Sequence, residues 1–224
     1  MEFVEYPDQE MMMIDLANTL AGELENVLFH EEFASLVVSG GTTPGPIFDS
    51  LCAADIDWSR VRVMLSDERW LPEDSPRSNT RLVKERLLTN RAAAATWVPL
   101  YAPAENPEDQ IDALSAGVRE CLPISVLLLG MGADMHTASL FPGADNLAPA
   151  LAHDAPPLMA MRAPGAPEPR LTLTAPVLSG AMSRHIVITG AEKREALERA
   201  RHIRTPADAP VSVMLSGATV HWAE

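Results

Sequence analysis

The sequence predicts an α/β protein: a mostly parallel sheet with helices on both faces. Three observations carry that expectation. Apolar runs of strand length, at residues 34–39, 61–66, 124–129 and 185–189, alternate with stretches of helical apolar spacing. These runs lack the polar alternation of a half-exposed strand, so they read as strands buried on both faces. All four also stop abruptly in glycines or charges, the position at which open α/β sheets bind ligands.

Taken in order, residues 10–29 form a helix, because Met13, Leu16, Ala17, Leu20, Leu24, Val27 and Leu28 fall on one face. The strand at 34–39 runs into Gly40, Gly41, Thr42, Thr43 and Pro44, then a helix to about residue 54. Pro44 suits a first turn, where its missing N–H is no loss. Free backbone N–H groups and hydroxyls converge there on the helix's positive end, an arrangement that holds phosphate. The strand at 61–66 leads into a Pro- and acid-rich loop and a helix over 80–88. Residues 92–105 are irregular apart from a short strand at 97–100, and 107–122 read as a helix. After the strand at 124–129, Gly130 and Gly132 allow a sharp turn, and a short helix is expected before Pro142. Residues 144–168, rich in Pro and Ala, read as a surface excursion or cover. An alternating run at 171–174, a helix to 179, a strand at 185–189, a turn at Gly190 and a helix over 192–203 follow. Strands at 211–215 and 219–222 close the chain, and no composition break divides it, so a single domain over 1–224 is expected.

A length of 224 residues, 47% hydrophobic and 21% charged, suits a globular protein with a large core and argues against disorder. The net charge of −14 argues against nucleic acid or an anionic membrane as partner, since both repel it at long range. An anionic substrate therefore needs locally clustered Arg and Lys. Cys52 and Cys121 show no CxxC spacing and read as small core residues, which fits a reduced, cytoplasmic setting. The first ten residues lack the basic and apolar regions of a signal peptide, and no apolar run reaches the roughly 20 residues of a membrane helix.

Three loops resemble the 6-phosphogluconolactonase family, within the larger group that includes glucosamine-6-phosphate deaminase: residues 39–44 (SGGTTP), 66–79 (SDERWLPEDSPRSN) and 128–143 (LLGMGADMHTASLFPG). Weaker matches at 169–174 (PRLTLT) and 190–193 (GAEK) follow in the family's order, so the resemblance spans essentially the whole chain. It implies a modified Rossmann-like fold of the deaminase, ribose-5-phosphate isomerase and CoA-transferase type. It also implies hydrolysis of 6-phospho-D-glucono-1,5-lactone to 6-phospho-D-gluconate, a pentose phosphate pathway step, with no cofactor and no required metal. One position departs: the family usually has Gly where this chain has Met135. If that backbone needs positive φ or close substrate approach, a Met side chain lowers stability or narrows the pocket.

His136 is the expected base. A lone His is more often a core residue, but this one follows a glycine turn, lies two residues from Asp134 and matches the family's catalytic position. In the implied reaction a neutral imidazole takes a proton from water, hydroxide attacks the lactone carbonyl and the ring oxygen leaves. With an ordinary imidazole pKa of about 6.5, activity falls in acid. Asp134 reads equally as an N-cap of the short helix and, through the resemblance, as the group that orients the imidazole. Gly40, Gly41, Thr42, Thr43, Arg170 and Lys193 are the candidate phosphate contacts, Arg170 as a fork and Lys193 as a point charge. Asp67, Glu68 and Arg69 end another strand and read as substrate-binding, with Arg69 suited to either phosphate or oxyanion. Ser139 either contacts the phosphate or bonds its own backbone. Two other functions stay open: a glucosamine-6-phosphate deaminase or isomerase, which needs a further base, and a sugar-phosphate sensor, which usually carries a basic DNA-binding segment not evident here. The expected partner is a small sugar phosphate lactone, the expected assembly a monomer or homodimer.

Overall fold

Two sheets organise the chain in the computed structural model, which describes residues 1–203 and 205–224. In order the elements are β1 (Glu2–Glu5), α1 (Gln9–His30), β2 (Ala34–Val38), α2 (Gly45–Leu51), β3 (Val61–Leu65), β4 (Asp67–Arg69), α3 (Asn79–Arg86), β5 (Thr96–Val98), α4 (Ile111–Arg119), β6 (Val126–Gly130), α5 (Leu147–Leu151), β7 (Leu158–Met161), β8 (Arg170–Leu173), α6 (Ala175–Ser179), β9 (Ser183–Thr189), α7 (Gly190–His202) and β10 (Thr219–Ala223). Seven strands form a wholly parallel sheet in the order β1-β10-β9-β6-β2-β3-β5. Every residue of β2 and the first four of β6 are buried, as strands covered on both faces must be.

Helix α1 shows why the apolar spacing was readable. Met12, Met13, Leu16, Ala17, Leu20, Leu24 and Leu28 are buried along one stripe, which rests on β2, β6 and β10. Asp8 starts the helix by accepting a hydrogen bond from the Met11 N–H at 2.8 Å, satisfying a donor that has no intrahelical partner.

The site's location follows from strand order. From β2 the chain works outward to β3 and β5, whereas from β6 it works outward to β9 and β10, with the N-terminal β1 on the outer edge beside β10. β2 and β6 are neighbours, with Val38 beside Leu128, so the loops leaving their carboxyl ends diverge and open a crevice between them.

A three-stranded antiparallel sheet, β4-β8-β7, closes one side of that crevice. Ser66 joins the sheets: its N–H donates to the Val38 carbonyl and its carbonyl accepts from Leu173 N–H, both at 2.9 Å. This second sheet corrects two expectations. Residues 67–69, expected as the polar end of the preceding strand, are a separate strand of this sheet, and the stretch read as a surface cover supplies α5 and the largely buried β7.

Three further differences have local causes. The edge strand β1 went unread because its four residues include two exposed glutamates. Residues expected as a strand at 211–215 instead fall in a 3-10 turn, Pro210–Met214, where Pro210 lacks the donor a ladder requires. The short helix expected after Gly132 is absent because Met135 and Ala138 hold φ of +67° and +50°, which no right-handed helix admits. Cys52 and Cys121 are free and buried, as read. Among the described residues no helix is long and apolar enough to cross a membrane.

Candidate active site

A cavity of about 240 Å³ lies where the strand ends converge, lined by residues from loops far apart in sequence. Ser39 to Pro44 come from the β2 loop, Asp67 and Arg69 from β4, Gly130 to Gly132 and His136 from the β6 loop, Arg170 from β8 and Lys193 from the first turn of α7. Of the residues expected as one site, Gly40 to Thr43, Asp67, Arg69, His136, Arg170 and Lys193 therefore line one cavity, and His136 is neither sealed in the core nor loose in solvent, its side chain being 30% exposed.

The turn after β6 builds the His136 geometry. Met135 N–H donates to the Gly132 carbonyl at 2.9 Å and Gly132 N–H donates to the His136 carbonyl at 3.0 Å, folding the chain back on itself. His136 Nδ1 then lies 2.5 Å from Asp134 Oδ1, and the same oxygen accepts the His136 N–H at 3.2 Å. Gly132 is obligatory for this packing, since a Cβ there would stand 2.2 Å from His136 Nδ1 and 2.5 Å from Asp134 Oδ1. The Phe141 ring, centroid 4.2 Å away, covers the imidazole. Hydrogen bonding from His136 holds the Asp134 carboxyl below the usual carboxylate range, so it stays an acceptor. With Nδ1–H committed to a carboxylate, Nε2 is left with the lone pair that can take a proton. The helix-cap alternative for Asp134 lapses with the absent helix.

Met135 occupies the left-handed conformation that a glycine adopts without strain, and its carbonyl is held by the Val211 N–H at 3.1 Å. The 3-10 turn that replaced an expected strand thus braces the backbone of the loop after β6.

Two of the expected substrate contacts are corrected by burial. Glu68 is 0% exposed, and its oxygens accept from the N–H groups of Arg69, Asn79 and Thr80 and the hydroxyls of Ser78 and Thr80. It serves as the internal anion at the start of α3, and burial pushes its carboxyl upward. Ser139 is likewise 0% exposed and donates to Asp67 Oδ2 at 2.6 Å. Both stand behind the cavity wall and hold it in place. Asp67 itself lines the cavity, with Ser66 donating to its other oxygen at 2.8 Å.

The wall carries buried polar atoms that make no hydrogen bond within the protein, although Arg69 Nε lies 3.7 Å from the Glu168 carboxylate. Among the described residues Ser39 Oγ, Arg69 Nε and Arg170 Nε are buried and without a hydrogen-bond partner, and all three residues line the cavity. Such atoms are rare in folded proteins and are satisfied by ligand or solvent. Arg170, its side chain 14% exposed, is pushed down by that burial, a sign that its charge lacks full compensation.

Sequence reading passed over Ser39, Asn79 and Met131 as lining residues and Glu168 as an arginine partner. Gly40 was the available clue to Asn79, because any Cβ there would meet the Asn79 side chain at about 2.1 Å, so the two loops touch.

Fold and cavity together define an α/β protein with an anion-receptive, histidine-bearing site at the switch point of a parallel sheet. The chain belongs to the glucosamine-6-phosphate isomerase/6-phosphogluconolactonase family, whose pattern it matches over residues 7–222. A 6-phosphogluconolactonase of Rhizobium meliloti is 41% identical over 215 residues, covering 93% of this chain and 92% of the relative. One from Pseudomonas aeruginosa is 40% identical, covering 92% and 88%. The crystal structure of a 6-phosphogluconolactonase from Shewanella baltica superposes with a TM-score of 0.96 at 32% identity, covering 100% of this chain and 97% of the other.

Proposed function

We propose that the protein is a 6-phosphogluconolactonase that opens 6-phospho-D-glucono-1,5-lactone to 6-phospho-D-gluconate, with His136 as the general base. The observation that carries the mechanism is the 2.5 Å contact between His136 Nδ1 and Asp134, which reserves Nε2 for water. Nε2 takes a proton from water as the oxygen bonds to the lactone carbonyl carbon. The tetrahedral intermediate collapses by breaking the bond to the ring oxygen, which leaves with the proton returned by the imidazolium. Asp134 orients the ring and stabilises its charged form.

The substrate's phosphate takes the β2 loop, Gly40 to Thr43, together with Lys193, and Arg170 and Arg69 face the anionic and developing charges. Their buried Nε–H groups, which donate no hydrogen bond within the protein, support that assignment. The chain works as one catalytic unit in a reducing cytoplasm, a setting that two free buried cysteines fit.

Proton release at constant pH from fresh lactone, beside ammonia release from glucosamine 6-phosphate, tests the reading. Lactone turnover above the spontaneous rate without ammonia is expected. Ammonia release, or tight 6-phosphogluconate binding without turnover, contradicts it.

A further inference from the structure

Glu168 sits between two prolines at the entry to β8, 8% exposed, with three guanidinium groups around one of its oxygens. Arg77 Nη2 donates to Oε1 at 2.8 Å, Arg69 Nε lies 3.7 Å from it and Arg170 Nη2 3.9 Å. Arg69 and Arg170 are register partners across β4 and β8, which sets their backbones side by side, and Arg77 joins them from the loop before α3. Arg69 Nη1 also donates to the Arg77 carbonyl at 2.6 Å, and Arg170 Nη1 approaches Asp67 Oδ2 at 4.0 Å. Arg69 and Arg170 line the cavity, whereas Arg77, 49% exposed, lies outside it.

We propose that Glu168 is a positioning residue for the lactonase reaction: its carboxylate gathers Arg69, Arg77 and Arg170 so that the first and last meet the anionic substrate already in place. The inference rests on the reading above. Three like charges within 4 Å of a common point repel strongly at low effective dielectric, and a central carboxylate is what lets them share that space. Without it the arginines swing toward water, and the incoming anion has to regather them. That work weakens binding and leaves the chemical step, driven from His136, largely unchanged.

An opposing effect exists, because removing a negative charge raises the attraction for an anion. It is the smaller one. The Glu168 charge is already matched at 2.8 Å by Arg77, so its field at the cavity is largely cancelled, whereas Glu168 is the one carboxylate that reaches both Arg69 and Arg170, the other holds on them being the Arg77 carbonyl on Arg69 and Asp67 at 4.0 Å from Arg170.

The test is Glu168→Gln, which keeps shape and removes charge, beside the wild type. The readouts are kcat and KM for the lactone, calorimetric affinity for inorganic phosphate, and melting temperature. Expected are a rise in KM of about tenfold, a parallel loss of phosphate affinity and kcat within about threefold. An unchanged KM with a lowered melting temperature reduces Glu168 to scaffold and overturns the proposal. A fall in KM overturns it too, by making the carboxylate a competitor of the substrate. Should Glu168→Gln not fold, Arg77→Met at a half-exposed side chain reads the same link, with KM expected to rise about threefold and an unchanged KM overturning it. A wild type that hydrolyses no lactone removes the proposed activity, but phosphate affinity still judges Glu168.

Discussion

The imidazole of His136 and the carboxylate of Asp134 meet at 2.5 Å across a turn whose floor is Gly132. Two residues apart in sequence, they are set by backbone alone. Asp134→Asn keeps the size of the partner but offers an amide that can turn either atom to the ring, so the tautomer with its lone pair on Nε2 loses its advantage. Because Asp134 is 54% exposed, water softens the loss, and kcat is expected to fall about 10- to 100-fold with KM nearly unchanged. Steady-state kinetics checks this.

Gly132→Ala tests the floor of the turn. A methyl group 2.2 Å from Nδ1 and 2.3 Å from Cε1 cannot coexist with the ring, so the imidazole moves by more than about 1 Å. A displacement of that size lowers kcat by about 100-fold. The loop is partly solvent-accessible, and thermal unfolding is expected to shift by only a few degrees.

Met135 yields a prediction of sign. At ordinary positions Ala is more stable than Gly, but here φ is +67°. Met135→Ala gives up packing against the core and keeps the strain, whereas Met135→Gly gives up the same packing and relieves it. Gly is therefore expected to exceed Ala by about 1 kcal/mol in denaturant unfolding. Ala equal to or above Gly contradicts a strained turn.

A buried network beneath α1 governs stability in acid. His221, 3% exposed, bonds Tyr6 Oη and His185 at 3.0 Å each, and the chain of contacts ends on Asp15 and Glu23. Burial, then repulsion from His185, pushes the His221 imidazole down from 6.5 to about 4. The unfolded chain thus binds the extra proton between those values and the folded one does not. The stability is fully present above pH 6.5 and is lost as pH falls toward 4, about 3 kcal/mol in all. Unfolding midpoints of the wild type and His221→Gln from pH 4 to 8 check this, the variant giving the flatter profile.

The parallel sheet and the meeting of its loops were legible because buried strands are written as unbroken apolar runs and their ends as glycines and charges. The second sheet was not, since β4 is three charged residues and β7 follows a Pro-rich stretch, neither carrying a strand's usual pattern. Glu68 could not be told from Arg69 within one charged run, because only the register of β4 against β8 decides which faces the cavity. The left-handed turn at Met135 was legible only as a condition, from the glycine the family usually carries there, and its φ of +67° meets that condition.

The decisive measurement is lactone hydrolysis by His136→Asn against the wild type at neutral pH, corrected for spontaneous opening, with phosphate affinity recorded for both. If His136 is the base, the variant loses turnover by about 100- to 10,000-fold while phosphate affinity stays within about twofold. Turnover in the variant close to that of the wild type would contradict it.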